Sequence, residues 1–177
     1  EWVISFFAIS KLRAAAVLFS SMWKEGEVRH AMSLTSPTAV IADRDGIAAM
    51  DVVGRPDVAV TSDGATESWE ALWSLVDGSS GSLTNQPDAD WREQELALPF
   101  SSGTTGLPKA VRHSHRTLVA GAMQWQGILN VSDADALQIY TPLAHILGVV
   151  NMAAAIGSGA PMRLFRRFDL ESVVQSI

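Results

Sequence analysis

Leu96-Ala97-Leu98-Pro99-Phe100-Ser101-Ser102-Gly103-Thr104-Thr105-Gly106-Leu107-Pro108-Lys109 is the stretch from which the fold is read. A short apolar run of strand type enters a loop dense in hydroxyls and glycines, and a helical pattern over 114–126 follows. The same order of short apolar run and longer helical stretch repeats on either side. Strands are expected at 17–19, 39–41, 58–60, 96–98, 137–140 and 162–165, and helices at 24–34, 44–52, 68–76, 114–126, 146–156 and 170–177. Alternation at this spacing requires strand-helix-strand crossovers, hence an α/β fold with mostly parallel sheets flanked by helices.

Ser68, Ser114 and Asp169 stand where helices begin, and each can cap free backbone N–H groups. The polar, turn-rich run over 78–90 (GSSGSLTNQPDAD) reads as a surface linker. A break in the helical pattern over 127–136 suggests two parts, a first α/β subdomain over 1–127 and the start of a second over 128–177. The chain opens inside an apolar helical pattern without a methionine and stops inside another, so both ends are expected to be cut points.

Composition narrows the chemistry. With 47% apolar and 18% charged residues, the 177-residue chain has enough core material for a folded domain. A net charge of −6 and scattered basic residues argue against nucleic acid as a partner. The absence of cysteine removes disulfides, thiolate metal sites and a cysteine nucleophile, and suits a cytoplasmic setting. Lys11 and Arg13 interrupt the apolar start well before the run of about 20 residues that a membrane span needs.

Each part of the loop over 101–109 has a use around a polyphosphate. Gly103 and Gly106 let backbone N–H groups approach anionic oxygens, and Ser101, Ser102, Thr104 and Thr105 add hydroxyl donors. Pro108 stiffens the exit and Lys109 supplies a point charge. The order is neither that of the P-loop of NTPases nor a GxGxxG dinucleotide fingerprint. Kinase and dehydrogenase readings therefore lose their main support.

The segment SSGTTGLPK resembles the signature loop of the adenylate-forming superfamily, which includes acyl-CoA and aryl-CoA ligases, firefly luciferases and the adenylation domains of peptide synthetases. The resemblance implies part of the large N-terminal region of such an enzyme. It also implies that Ser101, Ser102, Gly103, Thr104, Thr105, Gly106 and Lys109 hold the phosphates of ATP, and that the products are an acyl-adenylate and pyrophosphate. Where the family has glycine after the lysine this chain has Ala110, a cost of roughly 1 kcal/mol if the position demands positive φ.

Two further segments fit. Tyr140-Thr141-Pro142-Leu143-Ala144-His145-Ile146-Leu147-Gly148 is similar to the family's Pro-Leu-Phe-His-Ile-x-Gly turn. That likeness implies that His145, Leu147 and Gly148 border the acyl pocket, and that CoA is the acceptor. Alone, His145 would more often be a satisfied buried histidine. Arg166-Arg167-Phe168-Asp169 resembles the segment where ligases set a basic residue near the CoA nucleotide, which Arg167 fits; a solvated charge at a helix start fits as well. Lys11 to Val17 is similar to a weak upstream family segment, with Ala15 replacing glycine. His113 and His115 share a His-x-His spacing without a third ligand nearby, and a capped helix start is the simpler reading. Trp2, Trp23, Trp69, Trp73 and Trp125 read as core or rim aromatics.

The family's later motifs, for adenine and Mg2+, for the ribose, the hinge and the catalytic lysine, are not found in this sequence. The resemblance then implies that Mg2+ is held outside this chain, that no catalytic residue is assigned within it, and that this polypeptide alone is inactive. Carboxylic acid, ATP and CoA are the expected partners. Delivery to a carrier protein, and a non-catalytic nucleotide-binding relic, remain open alternatives.

Overall fold

The computed structural model describes residues 1–79, 90–102, 106–166 and 168–176. Its elements run α1 (Trp2–Lys11), β1 (Ala16–Val17), α2 (Glu25–Thr35), β2 (Ala39–Ala42), α3 (Arg44–Val53), β3 (Val58–Thr61), β4 (Glu70–Ala71) and α4 (Leu72–Gly78). After a 3-10 turn at Trp91–Glu93 come β5 (Glu95–Leu98), β6 (Phe100–Ser101), β7 (Lys109–Ala110), β8 (His113–Ser114), α5 (His115–Leu129), β9 (Leu137–Ile139), α6 (Ile146–Ser158), β10 (Met162–Leu164) and α7 (Leu170–Gln175). The α/β expectation holds, with β1∥β5, β2∥β3∥β4 and β9∥β10 parallel. Among the named strands of the described residues, β5–β8 and the short hairpin β6–β7 are antiparallel.

The expected linker over 78–90 falls for the most part on residues 80–89, outside the described residues. Within 68–76 the helical expectation is only half met. Ser68 caps nothing: the chain continues as β4, pairing Val60 with Glu70 and Thr61 with Ala71, and α4 begins at Leu72 with Ala71 as its N-cap. The reason lies in Trp69, which is only 2% exposed and packs with Val28, Met50 and Ala59. Burying that indole fixes the segment as an extended edge, against the local helical pattern. Ser114 and Asp169 do cap, accepting from the amides of Thr117 (3.3 Å) and Ser172 (3.1 Å).

Helix ends follow from backbone chemistry. Arg13, Asn130 and Gly159 adopt positive φ just beyond α1, α5 and α6. The next amide in each case returns to a carbonyl of the last turn: Ala14 to Ile9, Val131 to Gln126, and Ala160 to Ala155. Two of these residues pay a small steric cost that glycine avoids.

One core joins Phe6 of α1, Ala16 and Leu18, Leu96 and Ala97 of β5, Leu118 of α5, Ile139 of β9, and Val149 and Met152 of α6. The strand that feeds the loop and the helix that follows His145 therefore share a single packed interior. Across it α5 and α6 are joined by Trp125, whose indole N–H donates to Asn151 Oδ1 at 2.6 Å. No helix among the described residues is long and apolar enough to cross a membrane.

Candidate functional site

The loop is the tip of the β6–β7 hairpin, which pairs Phe100 with Ala110 and Ser101 with Lys109. Strand β5 delivers the chain to it through Pro99, whose carbonyl accepts from the Val111 amide at 2.9 Å and so closes the base. Ser101, Ser102 and Lys109 are exposed at the rim. Gly106 sits at φ +104°, a conformation side chains resist, which accounts for glycine there. Gly103, Thr104 and Thr105 lie outside the described residues. Ala110 lies in β7 without positive φ, and Ala15 likewise, so the conditional strain cost at position 110 does not arise.

Sequence reasoning missed what anchors this hairpin. The Phe100 ring meets Trp23 edge-on at 4.9 Å and Phe19 at 6.2 Å, a cluster supplied by the segment between β1 and α2. At the loop's exit, Nε2 of half-buried His30 on α2 lies 3.0 Å from the Pro108 carbonyl. A carbonyl only accepts, so Nε2 carries the donated proton. An open groove of about 390 Å³ runs beside this contact, lined by His30, Leu34, Leu107, Pro108, Lys109 and Ala110. Phe100, Trp23 and Phe19 were visible as aromatics, but no spacing ties His30 to a residue 78 positions away.

The second group gathers at the start of α6. His145 is exposed rather than buried, because it is the helix N-cap: its Nδ1 accepts from the Leu147 amide at 3.2 Å. Leu147 is exposed at its side, whereas Gly148 is buried, and a Cβ there would stand 2.4 Å from the Pro142 carbonyl oxygen. The turn Pro142 to His145 thus lies flush on the helix, with the imidazole facing outward on a fixed backbone.

The remaining expectations divide. Arg167 lies outside the described residues; beside it Phe165, Arg166, Phe168, Asp169 and Ser172 line an open cavity of about 470 Å³. His113 is a strand residue paired with Ala97. His115 opens α5 with its ring edge-on to Trp91 at 5.6 Å, and burial lowers its pKa. Arg112 and Arg116, flanking this helix start, pair with Glu95 and Glu93. Among the described residues no three His, Cys, Asp or Glu side chains converge as a metal site.

Parallel β units with a glycine- and hydroxyl-rich connection at a strand exit, and a histidine-capped helix on the same core, define an α/β architecture. The comparisons are more specific: the profile of the AMP-binding enzyme family matches residues 1–177, and the chain belongs to that family. The 4-coumarate–CoA ligase 1 of rice is 30% identical over 191 residues, covering all of this chain and 33% of its own length. A long-chain-fatty-acid–CoA ligase of Mycobacterium tuberculosis is 23% identical over 98% of this chain and 34% of its own length. The chain spans about a third of such relatives. Among solved structures, an anthranilate CoA ligase in complex with anthranoyl-AMP superposes with a TM-score of 0.85 at 23% identity, over 99% of this chain and 35% of that one. The N-terminal domain of a Mycobacterium tuberculosis ligase gives 0.79 at 22% identity, over 99% and 44%. These likenesses carry the fold.

Proposed function

We propose that this chain is the phosphate-loop-bearing part of an AMP-forming acid–thiol ligase, which activates a carboxylic acid as an acyl-adenylate and passes the acyl group to CoA. The observation that carries the reading is the pairing at the base of this run: Phe100 and Ser101 pair with Ala110 and Lys109, and Gly106 sits at positive φ. Backbone amides, hydroxyls and one ammonium on a rigid stalk suit the β- and γ-phosphates of ATP. In this reading Ser101, Ser102, Gly103, Thr104, Thr105, Gly106 and Lys109 hold the nucleotide. His145, Leu147 and Gly148 border the acyl group and the thiol's path, and Arg167 lies near the CoA nucleotide. We assign Mg2+ no ligand in this chain.

An apolar acyl or aryl acid suits Ala144 and Leu147 better than an amino acid does. The relic alternative rested on Ala110 and Ala15, and neither position has the positive φ that would demand glycine. Delivery to a carrier protein is the reading that the acceptor assay must separate.

Acid-dependent exchange of labelled pyrophosphate into ATP, measured on the full-length enzyme carrying this sequence, tests the first half-reaction. Exchange that appears only with a carboxylic acid supports the reading, and its absence across aryl and aliphatic acids overturns it. Thioester formation with CoA, against transfer to a phosphopantetheinyl carrier, then decides the acceptor. The 177-residue chain alone is expected to give no exchange.

A further inference from the structure

Among the described residues, a long-range side-chain bond reaches the loop's exit from a helix with no assigned role. Both ends of the hairpin are held from one direction: Phe100 by Trp23 and Phe19 just ahead of α2, and Pro108 by His30 within it. Pro108 offers a carbonyl but no N–H, and the His30 Nε2–H donates to that oxygen. The bond falls two residues after Gly106, which sits at φ +104°. It also falls one residue before Lys109, the ammonium at the neck.

We infer that His30 is a positioning residue of the phosphate loop, a tether that fixes the Gly106–Lys109 exit and with it the placement of the Lys109 ammonium. The inference deepens the proposed function and rests on it for the identity of the ligand. The tether itself rests on geometry alone. His30 touches no reacting atom in this account; it acts through Pro108.

The test uses the full-length enzyme with three substitutions. His30→Phe keeps a ring without a donor, His30→Ala removes both, and His30→Gln keeps an N–H of comparable reach. Hydrogen-deuterium exchange of the segment over 106–111 reads the tether without reference to activity. It is expected to accelerate in His30→Phe and His30→Ala and to return toward wild type in His30→Gln. In pyrophosphate exchange the first two variants are expected to raise the KM for ATP about five-fold, the scale of one neutral hydrogen bond, with the KM for the acid unchanged. Unchanged deuterium uptake in His30→Phe overturns the tether. Faster uptake with an unchanged KM for ATP overturns the positioning role, and so does an equal rise in both KM values, which marks a general loss of fold. If wild type itself shows no acid-dependent exchange while uptake still responds to His30→Phe, the nucleotide reading falls and takes the positioning role with it, whereas the tether stands.

Discussion

The Leu147 amide donates to Nδ1 of His145 at 3.2 Å, so the imidazole that opens α6 is pinned by one nitrogen and, when neutral, carries its proton on the other. In the proposed reading, the cap and a residue of the acyl site are the same side chain. Alanine removes both at once, and the cap alone is worth about 1 kcal/mol. Asparagine caps as well as any residue but has no imidazole. In the full-length enzyme His145→Asn is therefore expected to keep the melting temperature while thioester formation falls about ten-fold, the scale of one positioned polar contact. Equal thioester rates for His145→Asn and wild type would leave His145 with capping as its only function.

Gly148 makes a sharper structural demand. Its Cβ would come within 2.4 Å of the Pro142 carbonyl oxygen and 3.0 Å of the Leu143 Cα, both backbone atoms that cannot swing aside. Gly148→Ala must push the turn off the helix. The expected cost is about 1–3 kcal/mol, with a melting temperature several degrees lower. Chemical denaturation with an unchanged midpoint would show that the turn yields freely.

Three substitutions in the hairpin make opposite predictions. If Lys109 holds the nucleotide as proposed, Lys109→Ala removes a charge-assisted contact and should raise the KM for ATP roughly ten- to a hundred-fold in pyrophosphate exchange. Gly106→Ala meets open space but sits at φ +104°, so strain of about 1–2 kcal/mol should soften the loop with a smaller loss. Ala110→Gly restores the residue common in the family, yet Ala110 lies in β7 without positive φ. It should bring no gain in ATP use. A clear gain would mean that the alanine had impaired the loop after all.

Much of this architecture is visible in local pattern. The strands at Ala39–Ala42 and Val58–Thr61 and the helices at Arg44–Val53 and Ile146–Ser158 are long and periodic enough for sequence neighbours to determine them, and their observed bounds differ from expectation by one or two residues. What stayed hidden is non-local. The two-residue strands Glu70–Ala71, Phe100–Ser101 and Lys109–Ala110 exist because partners pair with them, and a two-residue strand has no periodicity to read. The capping role of His145 was equally hidden, because histidine is a rare cap and the motif pointed to a ligand contact. The tether from His30 depends on how β1, α2 and β5 come together, which no local window contains.

The last prediction concerns pH. His115 is packed against the edge of Trp91, and burial lowers its pKa below the ordinary value of 6.5. A lowered value means that the folded chain resists protonation which the unfolded chain accepts. Between the depressed value and 6.5 the unfolded state binds more protons, so stability from this group rises with pH. The penalty is absent above the unfolded value and grows as pH falls through the window. His115→Gln removes this titration, while His30, His113 and His145 remain in both proteins. Denaturant midpoints measured from about pH 7 down to about pH 5 should therefore fall more steeply for wild type than for His115→Gln. Parallel curves would mean that the Trp91 contact leaves the His115 imidazole as well solvated as in the unfolded chain.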